Sequence, residues 1–146
     1  MLLALDTSSP TVAVGLHDGT QVLLDLPSER PMKHAEQLAP LIEKVLARTD
    51  TDRHDLTAIA VGVGPGPFTG LRVGLVSARS IASVLGVPLH GLSSLDALAH
   101  EALAAVPAER GPITVGVALD ARRREVYHAR YRREVDGEIL RIAEPA

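Results

Sequence analysis

The residues best placed to do chemistry are two aspartates, each closing an apolar run. Asp6 follows Leu2 to Leu5 and Asp120 follows Ile113 to Leu119. A carboxylate at a strand end can hold a metal-bound phosphate if small neighbours let backbone N–H groups reach the phosphate oxygens. Here Asp6 is followed by Thr7-Ser8-Ser9-Pro10, and Asp120 by Ala121-Arg122-Arg123-Arg124, whose bulk would crowd that path. Both therefore read as degenerate phosphate-site candidates, and better as strand-end carboxylates that accept turn hydrogen bonds.

A second candidate is the glycine-rich stretch Gly62-Val63-Gly64-Pro65-Gly66-Pro67-Phe68-Thr69-Gly70, set between a strand-like and a helix-like segment. Such a place can bind an anion at a helix N-terminus. The spacing matches neither the dinucleotide nor the Walker fingerprint, the Walker lysine is missing, and Pro65 and Pro67 remove two donors. A turn that lets helix and sheet pack closely is the better reading.

The six histidines, His17, His34, His54, His90, His100 and His128, include no pair three to five residues apart. A metal site from one helical face is not expected, and neither is a bound cofactor. There is no Gly-x-Ser-x-Gly elbow to support a serine hydrolase. Arg122, Arg123, Arg124, Arg130, Arg132, Arg133 and Arg141 make the last quarter locally basic, diluted by Glu125, Glu134, Asp136 and Glu138. RNA contact and solvated strand faces both fit, and Tyr127 and Tyr131, on one strand face, suit base stacking or packing.

Composition sets the frame for these groups. The chain has 146 residues, 46% of them apolar but only three aromatic, so Leu, Val, Ile and Ala must build the core. Helices packed on a sheet suit that composition. A net charge of −3 gives little steering toward polyanions. The absence of cysteine excludes disulfides, zinc-thiolate sites and thiol nucleophiles and fits a cytoplasmic location. Neither a signal peptide nor a membrane span is expected.

The elements that must position the candidates follow from periodicity. Leu2 to Leu5 reads as a central strand; Val12, Val14 and Leu16 alternate up to an Asp18-Gly19 hairpin and return along Val22, Leu24 and Leu26. Leu38, Leu41, Ile42, Val45 and Leu46 stripe a helix from Lys33 to Arg48, with Pro31 marking its start. Leu56 to Val63 is a strand, and a helix runs from Thr69 or Gly70 to Leu85, ended by Gly86. Gly74, Ser77, Ala78, Ala82 and Ser83 make it open to close approach by another backbone. A short strand at Val87 to Leu89 and a helix from Ser93 or Ser94 to about Ala105 precede a break at Pro107 and Gly111-Pro112.

Beyond the break the opening order recurs: Ile113 to Leu119 with Asp120, then Glu125 to Tyr131, then Asp136-Gly137 and Ile139 to Ile142. Two related lobes are expected, residues 1–109 and 110–146, their terminal aspartates facing one cleft. The second lobe lacks covering helices, so a truncated chain is expected.

Strand-end aspartates in duplicated lobes resemble the actin, sugar-kinase and chaperone ATPases. More specifically, LALDTS at Leu3 to Ser8, His34 with Leu38 and Pro40, GVGPGPFTGLRVG at Gly62 to Gly74 and LDARRREVY at Leu119 to Tyr127 resemble the bacterial TsaB family. The resemblance implies an α/β, actin-like (ribonuclease H-like) ATPase fold with mixed sheets flanked by helices and degenerate nucleotide sites. It further implies a non-catalytic subunit for tRNA threonylcarbamoyladenosine modification, pairing with the transferase TsaD and the ATPase TsaE. TsaD's His-x-x-x-His pair is missing here. The implied pairing surface is the first two helices, with His34, Leu38, Leu41, Ile42, Val45, Gly74, Leu75, Ala78, Ile81 and Ala82 as interface candidates. The family's usual serines are replaced by Pro67 in the loop and Ala35 after the histidine, and its second lobe continues further.

Three functions compete. The first is that assembly subunit, with indirect or weak tRNA contact and no membrane. The second is a small-molecule kinase or glycoprotease-like enzyme of the same fold, supported only by Asp6 and Asp120. The third is a homodimer through the same small-residue helix face.

Overall fold

The computed structural model describes residues 1–29, 33–107, 110–122 and 124–143; of Arg122 and Ala143 only the backbone is described. Pro31 and Arg123 lie outside these residues. Two compact units form, Met1–Leu92 and Ser93–Ala146.

In the first unit, β1 (Leu2–Asp6), β2 (Ala13–His17) and β3 (Val22–Pro27) make an antiparallel meander. The turn between β2 and β3 rests on Asp18, whose carboxylate accepts from the amides of Thr20 at 2.7 Å and Gln21 at 2.9 Å. After α1 (His34–Arg48), β4 (Ala58–Gly62) joins parallel to β1, and after α2 (Phe68–Leu85), β5 (Leu89–Leu92) joins parallel to β4. The sheet order is β3-β2-β1-β4-β5. Register puts Leu3 beside Leu16 and Ile59, and Leu5 beside Val14 and Val61, so one sheet face is continuous aliphatic core. Leu38, Leu41 and Val45 of α1 and Ala78 and Ala82 of α2 close over it. Gly86 ends α2 at φ 68°, a left-handed cap that favours glycine.

Among the described residues α2 alone is long and apolar enough to cross a membrane by length and composition. Its buried residues Gly70, Gly74, Ala78 and Ala82 recur every fourth position. Arg72 and Arg79 interrupt its other sides.

The second unit holds α3 (Ser94–Ala104) and the meander β6 (Ile113–Arg122), β7 (Glu125–Arg133) and β8 (Ile139–Ala143). Leu95, Ala99 and Leu103 pack on Val117, Ala129 and Tyr131. This packing explains why the compact units part between Leu92 and Ser93, whereas the Pro-Gly break had placed α3 with the first lobe: the apolar side of α3 is buried by β6 and β7. The second meander repeats the turn chemistry of the first, with Glu138 N–H donating to the Asp136 carboxylate at 3.1 Å and Gly137 at φ 89°.

Candidate functional site

The residues after Asp6 and the glycine-rich loop, far apart in sequence, interlock. Gly62, Gly66, Gly70 and Gly74 recur every fourth residue from the end of β4 into α2. A Cβ on Gly62 would lie 2.1 Å from Asp6 Oδ2, and one on Gly66 2.0 Å from the Ser8 carbonyl oxygen. On Gly70 it would lie 2.9 Å from the Thr7 carbonyl oxygen, and on Gly74 2.4 Å from Thr7 Oγ1. Each glycine thus makes room for a group of the Asp6-Thr7-Ser8 turn, which explains four glycines that match no phosphate fingerprint. The loop itself turns at Gly64, whose φ of 88° lies in the left-handed region.

Several of the turn's polar groups are engaged within the unit. Ser8 N–H donates to Asp6 Oδ1 at 2.6 Å. Thr7 is buried; its hydroxyl donates to Gly70 O at 2.8 Å and accepts from Gly74 N–H at 3.0 Å. His34 Nε2–H donates to Ser9 O at 2.6 Å, and its ring lies beside Gly70, where a Cβ would be 3.1 Å from Cε1. Asp6 therefore sits in a turn fastened to α1 and α2, and the site is a packing joint. Pro67 occupies the N-cap position of α2 and gives no side-chain cap, as expected of a residue with no side-chain oxygen.

Asp120 lies in the other unit, paired with Val126 next to a register shift, and is exposed. Arg124 follows at φ 66°. Among the described residues no cluster of three or more His, Cys, Asp or Glu is arranged to hold a metal ion. The two tyrosines divide: Tyr131 is buried against α3, so it packs, while Tyr127 is half-buried. The Tyr131 hydroxyl donates to Asp96, and burial, then that carboxylate, pushes its pKa up to about 12.

The ten interface candidates separate by burial. Leu38, Leu41 and Val45 of α1 and Gly74, Ala78 and Ala82 of α2 are buried inside the unit, so the small-residue side of α2 faces its own sheet. The physical reason is the spacing: glycine and alanine every fourth residue form a flat strip on which β1 and β4 approach closely. Leu75 is partly buried against the same core, and His34 is tied to Ser9. Ile42 and Ile81 line an apolar groove of about 320 Å³ between α1 and α2, with Leu46, Val84 and Leu85.

The opposite side of α2 carries what a residue-by-residue reading of small positions missed. Phe68 is 71% exposed, Val76 59% and Val84 84%. The Arg72 guanidinium stands 5.3 Å from the Phe68 ring centroid. Phe68, Arg72, Val76 and Val84 fall on one row of four-residue steps, parallel to the row of Gly70, Gly74, Ala78 and Ala82 and offset from it by two residues, about 200° around the helix, and that offset was the available signal.

Comparison with known proteins places this geometry among relatives. Residues 26–145 match the family model described as TsaD: tRNA N6-adenosine threonylcarbamoyltransferase. An uncharacterized protein of Mycobacterium tuberculosis is 42% identical over 140 residues, covering 89% of this chain and 58% of that protein. The tRNA threonylcarbamoyladenosine biosynthesis protein TsaB of Escherichia coli is 35% identical over 138 residues, covering 93% and 57%. The chain thus spans a little over half the length of these curated relatives. The solved structure of YeaZ from Pseudomonas aeruginosa superposes with a TM-score of 0.84 at 35% identity, over 99% of this chain and 65% of that one. The fold is the mixed α/β, actin-like and ribonuclease H-like class that the motifs implied.

Proposed function

Because the chain belongs to the TsaD family, among its TsaB relatives, we propose that it is a non-catalytic subunit of tRNA threonylcarbamoyladenosine biosynthesis in the cytoplasm. It docks TsaD through the outward side of α2 and the groove between α1 and α2, and TsaE joins the pair. Its contact with tRNA is indirect or weak.

The observation that carries this reading is the division of α2 into two sides. One side is spent on the unit's own sheet; the other offers Phe68, Val76 and Val84 to solvent beside an apolar groove. Large exposed apolar residues beside such a groove are what a protein interface needs. The engagement of Asp6 and Thr7 within the unit supports a non-catalytic role over the kinase alternative.

The test is reconstitution of tRNA modification with TsaD and TsaE of the same organism and the threonylcarbamoyl-adenylate donor. Product should form only when this chain is added. Full modification without it would show the proposal to be wrong.

A further inference from the structure

We propose that Thr7 is a positioning residue: its buried hydroxyl sets where the first half of α2 sits, and so how Phe68, Arg72 and Val76 are presented. The inference rests on the docking reading above.

Thr7 Oγ1 bridges Gly70 O at 2.8 Å and Gly74 N–H at 3.0 Å. These two backbone groups are four residues apart and are each other's ordinary helical partners. A hydroxyl placed between them sits at the hydrogen-bond ladder, as inserted side chains do where helices bend. Removing it orphans neither group, because Gly70 and Gly74 can close on each other. Satisfying backbone polarity is therefore not what Thr7 uniquely supplies. What it supplies is a tether from the end of β1 to the first two turns of α2.

The N-terminal half of α2 carries the exposed Phe68, Arg72 and Val76 on the side opposite Gly70 and Gly74. The C-terminal half is held differently, by Ala78 and Ala82 packed in the aliphatic core. Loss of the tether should free the N-terminal half while the other half stays in place. The room at Gly74 is set by the same atom, since a Cβ there would be 2.4 Å from Thr7 Oγ1.

The experiment compares Thr7→Val, Thr7→Ser, Gly74→Ala and Val76→Arg in the whole chain, each measured for melting temperature and for affinity to TsaD by calorimetry. Thr7→Val should remain folded and bind about tenfold more weakly, a change of about 1.4 kcal/mol. Thr7→Ser, which keeps the hydroxyl, should bind like the parent. Gly74→Ala reaches the same joint from the helix side and should weaken binding comparably, so the test survives if Thr7→Val does not fold. Parent-like affinity in Thr7→Val or Gly74→Ala, with binding lost in Val76→Arg, would overturn the role of Thr7 and leave the docking reading standing. Parent-like affinity in Val76→Arg would remove the docking reading and this inference with it.

Discussion

The two units fasten a helix to a sheet by opposite means. In the first, α2 lies on its sheet through glycines and alanines, and the Thr7 hydroxyl that bridges Gly70 and Gly74 is buried. In the second, α3 is held partly by polar side chains: Tyr131 donates to Asp96, and Arg133 donates to the carbonyls of Leu103 and Val106 at 2.8 Å and of Pro107 at 2.9 Å. The first joint tolerates no added volume at its glycines. The second depends on the protonation of Tyr131. Fastening by small residues also leaves Phe68, Val76 and Val84 pointing outward, and so ties the packing device to the proposed docking surface.

The largest expected effect comes from filling the first joint. Ala78→Arg puts a charge at a fully buried position and should destabilise by about 4 kcal/mol or more. A homodimer test that placed arginine there would report unfolding, not loss of association. Gly66→Ala should cost about 3 kcal/mol, because the neighbour at 2.0 Å is the Ser8 backbone and cannot rotate away. Chemical denaturation measures both; if Gly66→Ala melted like the parent, the interlock would be refuted.

The second joint should respond less to mutation and more to pH. Tyr131→Phe removes a hydrogen bond to a carboxylate and should cost about 2 kcal/mol. The folded-state tyrosine pKa is raised to about 12 from 10.0, so the unfolded chain releases this proton first as pH rises. The stabilisation is thus complete below pH 10 and is lost as the pH passes from 10 toward 12. Melting curves across that range should fall more steeply for the parent than for Tyr131→Phe. Parallel curves would count against the clamp.

A smaller effect on stability is predicted at the start of α2. Pro67→Ser supplies the missing cap oxygen and should stabilise by about 1 kcal/mol. A melting temperature that did not rise would show that the loop geometry prevents capping.

Much of the fold was legible because its signals are local. The alternation of Val12, Val14 and Leu16, the Asp-Gly turns, the stripe of α1 and Gly86 at the end of α2 depend on neighbours in sequence, and the structure keeps each. The side taken by α2 was not legible. Gly70, Gly74, Ala78 and Ala82 carry little hydrophobic signal, whereas Leu75, Val76, Ile81 and Val84 spread around the helix, so composition could not say which side meets the sheet. The role of Thr7 was hidden for a related reason. Its partners are 63 and 67 residues away, and only the approach of β1 to α2 brings them together. The attachment of α3 also escaped, because the Pro-Gly break at 107–112 is a stronger local mark than the packing of Leu95, Ala99 and Leu103 on the next sheet.

The central claim is that the two sides of α2 do separate work, one holding the unit together and the other docking TsaD. The most direct measurement is the affinity of the Val76→Arg chain for TsaD, taken beside its melting temperature. The account predicts stability within about 0.5 kcal/mol of the parent, as for an exposed substitution, and loss of the complex. A stable Val76→Arg chain that binds TsaD as the parent does would contradict it.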